Sequence, residues 1–111
     1  MKVKIAGTGT YLPKDILSTE ELLTSIGIED HQIGRSNGVQ QRHVANIDYG
    51  ETTSKMAAWS ILKALENADL QTSDLDLIIF ASAAFEQPVP DTSALVQLHL
   101  GLSEQGTPSF S

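Results

Sequence analysis

The sequence predicts an α/β fold with a mostly parallel sheet and helices on its faces, and three observations carry that expectation. Apolar segments and helical patterns alternate in the order β-α-β-α-β-α-β, which is how crossover-connected strands read. A stretch free of Gly and Pro runs from Thr52 to Ala68. The run Leu77-Ile78-Ile79-Phe80 is continuously apolar, as a strand covered on both faces tends to be.

Taken in order, Val3 to Gly9 opens with period-two alternation, Val3 and Ile5 against Lys2 and Lys4, and predicts a strand. Gly7, Gly9 and Tyr11-Leu12-Pro13 then break it, the glycines reading as a tight turn. Ser18-Thr19-Glu20-Glu21 fits a capping box, with Ser18 as cap and Glu21 answering three residues later. Leu22, Leu23 and Ile26 continue at helical spacing, and Gly27 stops the helix. One helical turn is expected around Ile33, and a short, polar strand from Val39 to Ala45. The helix over Thr52 to Ala68 carries a small aliphatic stripe of Ala57, Ile61, Ala64, Leu65 and Ala68, suited to close packing. A strand over Asp74 to Ser82 follows. Asp91 or Thr92 caps a last helix bearing Ala94, Leu95, Leu98 and Leu102, with Gly101 near its end. Thr107-Pro108-Ser109-Phe110 reads as the lead into a further strand.

Composition narrows the function. Seven Lys and Arg stand against fourteen Asp and Glu, a net charge of −7. Every base lies in residues 1–63, with seven acids, so the whole excess falls in residues 64–111. No basic surface is available to neutralise phosphates, so nucleic-acid binding is not expected. The acids are interspersed with apolar runs and read as a solvated face of a folded unit. The chain has no cysteine, which excludes disulfides, Cys-zinc sites and thiolate chemistry within these residues. No targeting segment is visible. The longest apolar run, Leu77 to Ala81, is far below the roughly 20 residues that span a bilayer. A cytoplasmic protein without a membrane partner is expected.

No complete catalytic constellation emerges from residue spacing. Gly7-Thr8-Gly9 lacks the third glycine of a dinucleotide fingerprint, since Leu12 stands there and Pro13 blocks the helix. His31, His43 and His99 have no metal-ligand spacing, and each reads as structural, with His99 placed late in a helix where positive charge is favourable. Ser109 and Ser111 lack a glycine elbow. Neither a metal nor a bound cofactor is expected.

An ordered set of short motifs does rise above background. Ile5-Ala6-Gly7-Thr8-Gly9-Thr10-Tyr11-Leu12-Pro13 is similar to the opening strand and turn of β-ketoacyl-acyl-carrier-protein synthases III. Arg35-Ser36-Asn37-Gly38-Val39-Gln40-Gln41-Arg42-His43 resembles their Arg-Thr-Gly-Ile-x-x-Arg-His segment. The helix from Thr52, the strand Leu77 to Ala81 and the helix from Pro90 to Leu102 follow in family order, and Pro108-Ser109-Phe110 resembles the Pro-x-Phe before the nucleophile strand. The resemblance covers essentially all 111 residues. It implies that residues 1–111 are the N-terminal part of a thiolase-like domain, and that the chain is a segment stopping just before the nucleophile cysteine.

The resemblance further implies a decarboxylative Claisen condensation in the parent enzyme, with acyl-coenzyme A as donor thioester, malonyl-acyl carrier protein as acceptor, and a homodimeric assembly. The family's cysteine, histidine and asparagine would all fall beyond Ser111, so no residue here is assigned as catalytic and the segment alone is expected to be inactive. Two binding residues carry over. Val89 takes the position, just before Pro90, from which the family reaches across the dimer into the partner's acyl pocket. Arg35 lies on the coenzyme A side. Counted back from Gly38, however, Gln32 replaces the family's Trp, Ser36 its Arg and Asn37 its Thr, so Arg35 stands one residue off register. Two other readings compete: a self-contained acidic α/β interaction module, and a non-catalytic synthase-like partner subunit.

Overall fold

The computed structural model describes residues 1–28 and 38–111. It resolves into two compact units, one of Met1–Tyr11 with Gly50–Ser111 and the other of Leu12–Tyr49.

In the unit Leu12–Tyr49, β1 (Asp15–Ser18) runs antiparallel to β2 (Gln41–Val44), with Asp15 opposite Val44 and Ser18 opposite Gln41. The helix α1 (Thr19–Ser25) starts directly from β1. Ser18 Oγ accepts the Glu21 amide and the Glu21 carboxylate accepts the Ser18 amide, both at 3.1 Å, so the expected capping box is formed and satisfies two otherwise orphaned donors. Leu23 is its buried anchor. Gly27 takes φ +73° one residue past the Ile26 cap, a left-handed stop that suits glycine. The strand expected over Val39 to Ala45 is β2; β1 was not foreseen. The helical turn expected around Ile33, with His31 and Arg35, lies outside the described residues.

In the other unit, α2 (Thr53–Ala68) begins at the Thr52 cap, whose hydroxyl accepts the Lys55 amide at 3.3 Å. β3 (Ile78–Ile79) and β4 (Ser109–Phe110) pair in parallel, Ile78 opposite Ser109 and Ile79 opposite Phe110. Between them α3 (Thr92–His99) starts at Asp91, whose carboxylate accepts the Ala94 amide at 3.1 Å, and closes through Leu100 and Gly101. Ala58, Ile78, Val96, Leu100 and Leu102 form the buried core, with Ala57, Ile61, Leu75 and Phe80 packed around it.

Four expectations need correction. Val3 to Gly9 forms no strand among the described residues, and Val3 and Ile5 stay exposed. Alternation marks two faces but supplies no hydrogen-bonding partner, which is non-local. Gly7 and Gly9 serve close approach rather than a tight turn. A Cβ on Gly7 would sit 2.5 Å from the Ala64 carbonyl oxygen, and one on Gly9 would overlap the backbone of Ser60 and Ala64. The small stripe of α2 thus receives the segment that carries Gly7 and Gly9. The strand expected over Asp74 to Ser82 pairs only at Ile78–Ile79 and is covered on one face, with Ile78 6% and Ile79 72% exposed. Finally, α3 buries Val96 and leaves Leu98 exposed. The alternating order is met in part, since β1 at Asp15–Ser18 stands where Val3 to Gly9 was expected, and so is the parallel sheet: the described strands form one antiparallel and one parallel pair.

Candidate functional site

The loop between β3 and α3 walls a cleft of about 570 Å³ lined by Phe85, Glu86, Gln87, Pro88, Asp91 and Ser111. Its walls combine the apolar faces of Phe85 and Pro88 with two carboxylates and a hydroxyl. Such a cleft can take an apolar chain that ends in a polar group.

Local chemistry holds each wall. Ser82 Oγ donates to the Ala84 carbonyl at 2.9 Å and accepts the Ala84 amide at 3.1 Å, making a tight bend. The Gln87 amide group donates to the Val89 carbonyl at 3.0 Å. At the far wall, Ser93 is fully buried. Its hydroxyl donates to Asp91 at 3.1 Å and meets Ser109 Oγ at 3.3 Å, while its amide donates to Ser111 Oγ at 2.9 Å. These bonds tie the start of α3 to the end of β4.

Glu86 links this loop to α2. Its carboxylate accepts the amide of Ser54, in the first turn of α2, at 3.1 Å, where the helix dipole favours negative charge. Its own amide donates to Thr92 Oγ1 at 3.3 Å. Ser54 Oγ, fully buried, lies 3.1 Å from His99 Nε2. Desolvation opposes the Glu86 charge, yet hydrogen bonds from Ser54 and Thr52 and the nearby His99 outweigh it and hold the carboxyl below its usual range.

A second polar contact flanks the start of α2. The Tyr11 hydroxyl donates to buried Glu51 at 2.6 Å, and its ring meets Trp59 with centroids 4.7 Å apart. The Glu51 hydrogen bond, then burial, then the carboxylate charge push the Tyr11 phenol above its ordinary value.

Of the two binding residues read from the sequence, Val89 lies in the cleft loop with its side chain 83% exposed. Arg35 lies outside the described residues, so the two are not brought together here. His43 Nδ1 is 2.6 Å from the Pro13 carbonyl, which fits its structural reading. His99 does more than neutralise a helix end, since it meets Ser54 of another helix. Glu86 and Ser54 were missed altogether. Nothing near Glu86 in sequence announces a partner 32 residues away. Among the described residues no group of three His, Asp or Glu side chains converges to hold a metal, and no helix is long and apolar enough to cross a membrane.

No family model matches the chain. Known proteins do. The chain is 38% identical over 107 residues to the β-ketoacyl-[acyl-carrier-protein] synthase III of Neisseria gonorrhoeae, covering 96% of this chain and 32% of that protein. Over 99 residues it is 38% identical to the synthase III of Methylococcus capsulatus, covering 89% and 30%. The crystal structure of 3-oxoacyl-[acyl-carrier-protein] synthase III from Aquifex aeolicus superposes with a TM-score of 0.80 at 36% identity, covering 96% of this chain and 33% of that one. The chain spans about a third of the length of the relatives it matches. The resemblance read from the motifs is thereby shown: homologues of this chain are synthases III, and its structural neighbours have the thiolase-like fold.

Proposed function

We propose that this chain is the N-terminal portion of a synthase-III-like acyltransferase, and that the parent enzyme joins an acyl thioester to malonyl-acyl carrier protein with loss of carbon dioxide. The single observation that carries the reading is similarity along 96% of the chain, in sequence and in backbone, to proteins bearing that name. In this reading residues 1–111 supply scaffold, one wall of the acyl-donor path and part of a homodimer surface in a cytoplasmic enzyme. The cleft beside Phe85, Pro88 and Ser111 is the wall, and exposed Val89 is the residue offered to a partner.

The reaction needs a nucleophile that accepts the acyl group, and a thiolate is the fitting one because it is strongly nucleophilic near neutral pH. These 111 residues contain no cysteine, so condensation by the segment itself is not expected. No cofactor is required beyond coenzyme A as the donor's carrier. Arg35 remains the proposed contact on that side. Mass spectrometry of the full-length parent, offered a panel of acyl-coenzyme A and acyl-carrier-protein donors with malonyl-carrier protein, tests the reading. A β-ketoacyl product supports it. Absence of acyl transfer from every donor overturns it.

A further inference from the structure

We propose that Glu86 is a positioning residue that clamps the loop carrying Phe85 to Val89 onto the first turn of α2, and so sets which acyl chains the adjoining cleft accepts. The acyl part of this inference rests on the synthase reading; the clamp itself does not.

Within these 111 residues the loop has few other ties. Residues 81–91 are all exposed, and the side-chain hydrogen bonds of Ser82 and Gln87 stay within the loop. Asp91 caps α3 at the loop's end, and the Glu86 side chain reaches from the loop to α2, accepting the Ser54 amide at 3.1 Å. Its backbone adds a second tie through the Glu86 amide and the hydroxyl of fully buried Thr92 at 3.3 Å. One residue is therefore fixed to α2 by its side chain and to α3 by its main chain. Its neighbours Phe85, Gln87 and Pro88 are cleft walls, and Glu86 is itself one. A charged acceptor at a helix N-terminus is a strong anchor because the donor is already oriented. Buried Ser54 also meets His99 Nε2 at 3.1 Å, which ties the anchor point on α2 to α3. Because positioning sets how well a chain fits before chemistry begins, loss of the clamp should act on binding more than on turnover.

The test uses Glu86→Ala and Glu86→Gln in the full-length parent, with two readouts. Hydrogen–deuterium exchange over residues 81–90 should rise several-fold in Glu86→Ala, while the interiors of α2 and α3 stay protected. Glu86→Gln, which keeps an acceptor oxygen, should fall between wild type and Glu86→Ala. In parallel, the ratio of kcat/KM for a long acyl-coenzyme A donor to that for acetyl-coenzyme A should shift at least fivefold, through KM rather than kcat. Unchanged exchange in Glu86→Ala overturns the clamp. Raised exchange with an unchanged donor ratio overturns the role in selectivity. If Glu86→Ala does not fold, the same two outcomes are read from Glu86→Gln. A wild type that turns over no thioester overturns the synthase reading and the selectivity role together, and exchange still decides the clamp.

Discussion

The Tyr11 hydroxyl donates a 2.6 Å hydrogen bond to Oε2 of Glu51, a carboxylate only 1% exposed. Tyr11 ends the segment whose glycines pack on α2, and Glu51 directly precedes the Thr52 cap of that helix. The bond therefore fastens the segment at the helix start, with the Trp59 ring as its apolar backing.

Tyr11→Phe keeps the ring and removes the donor. A hydrogen bond to a charged acceptor stabilises more than one between neutral groups, so urea unfolding should show a lower midpoint for the variant. The phenol's value is raised in the folded protein above its ordinary 10.0. The stabilisation is thus fully present below pH 10 and declines as pH rises through the raised value. Equal midpoints for the two proteins at pH 7 would refute this account.

The glycines of the same segment make a second case. A Cβ on Gly9 would overlap backbone atoms of Ser60 and Ala64, and backbone cannot swing aside as a side chain does. Gly9→Ala should cost about 1–3 kcal/mol, the usual range for overpacking. Gly7→Ala should cost less, because its contacts are a little longer. Thermal melts of both variants beside wild type give the order, and a neutral Gly9→Ala would mean that the segment is not seated on α2.

How much of this was legible in the sequence follows from which interactions are local. The Ser18–Glu21 box, the Asp91 cap and the glycine stops at 27 and 101 are each settled within a few residues, and all are found. Strand pairing is not local. Val3 to Ile5 alternates correctly yet lacks a partner among the described residues, whereas Asp15–Ser18 pairs with β2. Leu98 was a reasonable core candidate by helical spacing, but Val96 faces Ala58 and Ile78 instead. The candidate site fared likewise. Val89 was named through motif resemblance, while Glu86 and Ser54 acquire meaning only once folding closes the 32 residues between them.

Glu86 also predicts a pH dependence. Its folded carboxyl lies below the usual 4.5, so its stabilising effect is present above that value and is lost as pH falls through the lowered one. Urea midpoints of wild type and Glu86→Gln, taken from pH 7 to acid, should converge at the acid end. A gap that stays constant across the series would show that the Glu86 charge is not what matters.

Val89 gives the last prediction, and it depends on the synthase reading. In the family this chain resembles, the residue before the proline at this position, often Phe in enzymes that prefer short primers, closes the partner's acyl pocket. Here the position holds Val89, whose side chain is 83% exposed in the single chain and so is free to enter a partner. Valine is several carbons smaller than phenylalanine, which leaves a deeper pocket floor. Each buried methylene is worth roughly 0.8 kcal/mol, so room for two or three more shifts preference toward longer chains by about tenfold or more. Val89→Phe in the full-length parent should move that preference back toward acetyl-coenzyme A, measured as the ratio of kcat/KM across a donor series. If the donor ratio does not move while folding and dimerisation are intact, Val89 does not form the pocket floor.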